Sequence, residues 1–357
     1  MENKPVEKLL TEIESAEGEY FEADAVEIQQ ELARRASLYS GLGIKALSIA
    51  GGALAGVFFM AFLFSIGLNK SGTGMLVLGL ACIAAALLLQ RVINSLILDT
   101  AVISAYAIGH ISLAAGLNHL HVDENFTALA LCAISLASIL LTESFMLVFI
   151  AVLVFNGGLL AFVLINDAHY FIFLLTAFVS ISFTWIHLAE SSILSGNRKL
   201  NILYNPVRAG LLFSFIGLLF VLAWRDFFVL HSTPMWISSA IIIAAVMVVI
   251  QRILKTTPGI SNKNYLLIYF FSFLLLLPCL FAPAIIGSVL ILLLCFHTGH
   301  RSGLILAIMS FVFFVFLYYY DLGYTLLTKS AILFVSGLLF LLAWLVFKKQ
   351  IKNYEKE

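Results

Sequence analysis

The stretch FMLVFIAVLVFNGGLLAFVLI, residues 145–165, decides the fold class. It holds no charged side chain and one amide, Asn156, and as a helix it reaches about 30 Å, the thickness of a bilayer's hydrocarbon core. Its residues are apolar without alternation, which argues for a helix bonded within itself rather than a strand of a membrane barrel.

Working outward, comparable runs recur at Ala46 to Leu68, Gly74 to Leu89, Leu96 to Leu117, Thr127 to Leu141, Tyr170 to Leu188 and Ala209 to Trp224. Further runs follow at Met235 to Ile250, Tyr265 to Phe281, Ala284 to Phe296, Leu304 to Tyr320 and Ser330 to Phe347. The reading is an all-α, polytopic transmembrane helix bundle of about twelve spans. Two pairs leave ten open, because residues 142–144 and 278–283 separate either full spans or re-entrant segments. Composition agrees: 62% of the 357 residues are hydrophobic and 11% charged, against about 25% charged in a soluble domain.

Twenty Lys and Arg against twenty Asp and Glu give a net charge of zero, so the chain lacks the basic field that collects nucleic acid. The sum hides a separation. With twelve spans and a cytoplasmic N-terminus, every cation except Lys70, Arg225 and Lys329 falls on the cytoplasmic side, as the retention of Lys and Arg in inner loops requires. The C-terminus is then cytoplasmic too.

The expected organisation is 1–43, acidic amphipathic cytoplasmic helices; 44–189, a first six-helix half; 190–208, a cytoplasmic loop; 209–347, a second half; and 348–357, a basic tail. The first segment lacks the basic head of a signal peptide, and its stripes at Val6, Leu9, Leu10, Ile13 and at Phe21, Ala25, Ile28, Leu32 have helical period. Its acidic faces suit protein better than an anionic leaflet. No repeat relates the halves: Asn156-Gly157-Gly158 and Pro278, which could interrupt helices, are not equivalent positions. Gly51, Gly52 and Gly56 favour close packing in the first span. Cys82, Cys132, Cys279 and Cys295 all lie in apolar runs and read as reduced core residues.

The chain has no phosphate loop, zinc-protease helix, nucleophile elbow or dinucleotide fingerprint. No cofactor and no catalytic residue is expected. Ionisable groups within spans are the default functional candidates: Asp99 and His110 in the third span, Glu143 at the fourth turn, and His187 with Glu190 at the inner end of the sixth. Asp99 and His110 share a face but stand roughly 16 Å apart along the helix. In the outer loops His119, His121 and Asp123, with His169, offer donors for a transition metal. The bland account is that outer loops, depleted of Lys and Arg, draw their polarity from His and carboxylates. His297 and His300 are weaker candidates on the inner side.

Near the C-terminus, Tyr318, Tyr319 and Tyr320 close the eleventh span with an aromatic belt, Thr328 can cap the twelfth, and Lys329 snorkels. Over Tyr318, Tyr319, Tyr320, Leu322, Thr325, Leu326, Leu327, Lys329 and Ser330, followed by an apolar helix with Gly337, the sequence resembles the domain-of-unknown-function 4401 family of bacterial multispan membrane proteins. The resemblance implies a multi-pass protein of the bacterial inner membrane. It also implies neighbours: a second multispan protein and a membrane-anchored protein named for a GDYxxLxY motif. It carries no activity.

Three functional classes follow. The favoured one is a non-enzymatic subunit working with other multispan and membrane-anchored envelope proteins in the lipid bilayer. A secondary transporter or channel for a small solute would bring Asp99, His110 and Glu143 onto one cavity. An intramembrane enzyme acting on lipid or glycan would need an outer pocket built from His119, His121, Asp167 and His169.

Overall fold

The computed structural model describes residues 42–67, 70–92, 96–224, 236–256 and 262–321, with isolated positions between 327 and 341. The N-terminal acidic segment, the basic tail, and Leu322, Thr325, Leu326 and Lys329 of the family motif lie outside the described residues. Everything described is helix or short turn, with no strand.

The helices are α1 (Leu42–Ser65), α2 (Gly72–Val92), α3 (Leu96–His119), α4 (Glu124–Leu141), α5 (Phe145–Ile165), α6 (Tyr170–Leu188) and the single turn α7 (Glu190–Leu194). Then come α8 (Arg198–Ala223), α9 (Trp236–Thr256), α10 (Asn262–Leu276), a 3-10 turn (Leu277–Phe281), α11 (Pro283–His297) and α12 (Arg301–Asp321). Among the described residues eight helices are long and apolar enough to cross a membrane. The chain divides into two compact units between Asp123 and Glu124.

In the first unit α1 and α2 both pack on α3. The α2–α3 contact is glycine on glycine. A Cβ on Gly79 would stand 2.7 Å from the Leu113 backbone nitrogen and 2.8 Å from the Gly109 oxygen, and one on Gly116 would stand 2.7 Å from the Leu76 nitrogen and 2.9 Å from the Gly72 oxygen. Gly109 in turn would meet Ile83 at 2.6 Å. Seven residues forward along α2 answers seven back along α3, so two antiparallel helices touch backbone to backbone through one stripe, the small-residue packing that membranes favour. The glycines expected to pack closely in the first span do less: Gly56 makes an ordinary 3.6 Å contact with Ile108, and Gly51 meets nothing within 4 Å.

In the second unit α8 is the central helix. It packs against α5, α6, α7, α11 and α12. Leu212, Phe215, Leu219 and Leu222 recur at helical spacing on its buried face. Around them close Val179 and Phe183 of α6, Ile242 and Val246 of α9, Leu290 and Leu294 of α11, and Phe314 of α12. Close approaches again fall at glycines: Gly210 lies against Val152, Gly287 against Leu219 and Gly158 against the Cys132 sulfur.

Two differences from the sequence reading, at 190–208 and at Asn156, have physical causes. The segment from Glu190 to Arg208, expected as a loop, is mostly helical, because Asn197 caps α8 by accepting the Lys199 N–H and the helix starts eleven residues before its apolar run. Asn156-Gly157-Gly158 does not break α5, since the Asn156 amide donates to the Val152 carbonyl at 2.9 Å and keeps its polarity within the helix. Pro278 does end a helix: α10 stops at Leu276, and Pro283 opens α11, which at fifteen residues reaches about 22 Å. Residues 142–144 separate two helices of spanning length, with Ser144 capping α5.

Gly79→Val is expected to destabilise the protein by on the order of 1–3 kcal/mol, because the added carbons press on backbone that has no rotamer to yield. Gly157→Ala, where nothing lies within 4 Å, is expected to be neutral or slightly stabilising. Thermal unfolding in detergent compares the two, and equal midpoints would refute the packing account.

Candidate functional site

The polar interior of the second unit gathers at one end, where α6 stops, α7 turns and α8 begins. Arg208 organises it. Its Nη1 donates to the Tyr204 hydroxyl at 3.2 Å and reaches Glu190 Oε1 at 3.5 Å, while Nη2 donates to Asn205 Oδ1 at 3.0 Å. The guanidinium lies 4.9 Å from the centre of the Tyr204 ring. The side chains of Arg208 and Glu190 are 12% and 31% exposed, so the pair is desolvated on the arginine side and wet on the carboxylate side. Tyr204 is 2% exposed and also engages Glu190. Residues four apart on a helix share a face, which is why Tyr204 and Arg208 meet.

Two imidazoles and a thiol share this field. His187, buried at the end of α6, is held by its Nδ1 2.9 Å from the Phe183 carbonyl and packs 4.3 Å from the Phe183 ring. A carbonyl only accepts, so this nitrogen carries the proton. His300, between α11 and α12, does the opposite: its Nδ1 accepts the Gly303 N–H at 2.9 Å and caps α12. In the neutral ring the proton therefore sits on Nε2. Arg208 acts electrostatically on His187, His300 and Cys295, and His300 acts on His187. Burial, then the Arg208 cation, hold the His300 imidazole below its ordinary value of 6.5. Gly303 completes the fit, since a Cβ there would stand 2.6 Å from both the Cys295 sulfur and His300 Nδ1.

The other sequence candidates are placed individually. His110 is 5% exposed on α3, its Nδ1 3.0 Å from the Tyr106 carbonyl and its ring 4.4 Å from that of Tyr106, while its Nε2 is buried without a hydrogen bond. Asp99 lies in the first turn of α3, with its side chain outside the described residues. Glu143 is exposed on the turn between α4 and α5. His119, His121 and Asp123 are exposed, and His169 is half-buried. His121 and Asp167 hold φ of 54° and 49°. Each follows the end of a helix, and the next amide, of Val122 or Ala168, bonds a carbonyl five residues back. That is the left-handed ending that closes a helix. Among the described residues no three of His, Cys, Asp and Glu converge as metal ligands. Tyr318 and Tyr319 are half-buried, Tyr320 is 68% exposed, and the Tyr319 and Tyr320 rings meet edge to face at 5.8 Å.

The site therefore unites His187 and Glu190, two of the five intramembrane candidates, with Tyr204, Arg208, Cys295 and His300. Arg208 reads in the sequence as a retained inner cation, and its i, i+4 spacing from Tyr204 is the one signal of a shared face. The arrangement holds a fixed positive charge beside one buried imidazole, His187, and one half-buried imidazole, His300.

A family described as Domain of unknown function (DUF4401) matches residues 42–350. This chain is a member of that family. No curated protein and no solved structure matches it. For this DUF4401 member, family membership and the apolar helices together support a membrane-embedded protein.

The neutral His300 has a pH consequence. Above 6.5 folded and unfolded chains carry the same uncharged ring. As pH falls through 6.5 the unfolded chain takes up a proton that the folded site resists, so stability is lost. The thermal midpoint is expected to fall between pH 7.5 and 5.5 more steeply in the parent than in His300→Asn, whose amide oxygen preserves the cap. Parallel curves would overturn the assignment.

Proposed function

We propose that the protein is a non-enzymatic, multi-pass inner-membrane subunit of a bacterial envelope complex. The observation that carries this reading is how the second unit uses its polar atoms. Thr176, Ser180, Thr184, Ser288 and Ser310 each donate to a carbonyl three or four residues back in their own helix. Those hydroxyls are used up by the backbone rather than lining a path for solute. Between Leu222, Pro283 and Phe314 lies a crevice of only about 20 Å³, walled mostly by apolar side chains, space for about one water.

A transporter would present convergent polar side chains to a cavity. Glu143 faces outward on a turn, His110 donates to its own helix, and neither lines a described cavity. An enzyme acting on lipid or glycan would draw on His119, His121, Asp167 and His169, of which His121 and Asp167 have a sufficient role in ending helices.

The partners suited to this reading are other multispan and membrane-anchored envelope proteins, with the acidic segment 1–43 available for docking. The proposed topology is twelve spans with both termini in the cytoplasm, supported by the charge separation along the chain.

Tagged protein extracted in mild detergent is expected to bring down at least one other membrane protein in fixed stoichiometry, read by native mass spectrometry. Recovery of this chain alone at native expression level would overturn the subunit reading. Separately, alkaline phosphatase fused after residue 357 is expected to be inactive and a green fluorescent protein fusion bright; the reverse pattern would overturn the topology.

A further inference from the structure

We infer that the groove between the C-terminal ends of α6 and α9 is a binding site for the headgroup of an anionic phospholipid. The groove measures about 300 Å³. Its α6 wall is Trp185, Leu188 and Ala189; its α9 wall is a single stripe at helical spacing, Val248 followed by Gln251, Arg252 and Lys255.

The chemistry changes along that stripe. Val248 and Trp185, 49% and 64% exposed, lie on the bilayer side and present an apolar surface to acyl chains. Lys255, in the last turn of α9, and Arg252, just before that turn, are exposed at the end of the apolar span. No lining residue is acidic. A ligand that fits must be apolar at one end and anionic at the other, which describes a phospholipid whose phosphodiester meets the two cations. A guanidinium fork and an ammonium together suit phosphate oxygens, and an interfacial indole suits the glycerol level. Basic pockets between spanning helices recognise anionic headgroups in this way. Cations near a helix C-terminus also complement its dipole, but that role asks for neither an open groove nor an exposed tryptophan beside it. The inference rests on the membrane-embedded reading and is independent of the subunit role.

The test uses the full chain in nanodiscs of phosphatidylcholine doped with phosphatidylglycerol of the same acyl chains, released for native mass spectrometry. Parent protein is expected to retain phosphatidylglycerol well above its mole fraction. In Arg252→Gln/Lys255→Gln that enrichment is expected to fall roughly tenfold, with the thermal midpoint in pure phosphatidylcholine unchanged. Arg301→Gln, which removes an exposed cation away from the groove, is expected to leave the enrichment intact. Equal retention in the double variant and the parent would overturn the inference. So would a parent without preference between the lipids, which would make an acidic protein segment the groove's occupant. Loss of enrichment with Arg301→Gln to the same degree would also overturn it, since the attraction would then belong to the whole basic face. Because no partner protein enters the assay, its failure is distinct from failure of the subunit reading.

Discussion

In hydrocarbon an apolar side chain gains nothing by leaving lipid for another side chain, so helices must be held together by contact itself. That constraint explains why glycine stands at six helix contacts of this chain. At Gly79, Gly109 and Gly116 in one unit, and at Gly158, Gly210 and Gly287 in the other, a missing side chain lets a neighbouring helix approach to a distance that any Cβ would prevent. Dispersion summed over such contacts replaces the water-driven force that compacts a soluble core. The same constraint governs hydroxyls such as those of Thr176, Ser180, Thr184, Ser288 and Ser310, which in the absence of water turn back to their own helix.

Charge is the harder problem in such a medium. The second unit solves it by placing Arg208 where α8 is still inside protein but close to the end of the bundle. Its carboxylate partner comes from α7, a single turn that exists because α6 ends at Leu188 and the chain reverses at once. Tyr204 covers the guanidinium from the preceding turn. Opposite tautomers on His187 and His300 leave an acceptor Nε2 on one ring and a donor Nε2 on the other, so the field of one cation is met by rings whose polarity is fixed by backbone groups rather than by solvent.

Helix positions were legible because hydropathy over twenty residues is a one-dimensional property: Phe145–Ile165 coincides with its apolar run. Polar helical ends were not, because the turns of α8 from Arg198 to Arg208 are hydrophilic, and only the Asn197 cap and the Tyr204–Arg208 spacing mark them as helix. The site was half legible. His187 and Glu190 stand out as ionisable groups beside an apolar run, whereas their union with His300 depends on α6, α8 and α11 converging, a tertiary fact without local signature. The α2–α3 glycine stripe escaped for the same reason: a seven-residue spacing within each helix becomes meaningful only when the two are laid antiparallel, while the denser Gly51-Gly52 pair drew notice and Gly51 packs on nothing.

That stripe also dictates what changes the hairpin tolerates over evolutionary time. Its alignment is written inside the two helices, not in the connection between them, so the length of the connection is free to drift. One residue gained or lost between Gly109 and Gly116 would turn the rest of α3 by about 100°, carrying Gly116 off the seam and a bulkier residue onto it. Substitution at the exposed positions of these helices, such as Val77 and Leu88, is cheap. Insertion within them is not, and lineages are expected to vary the chain at its corners.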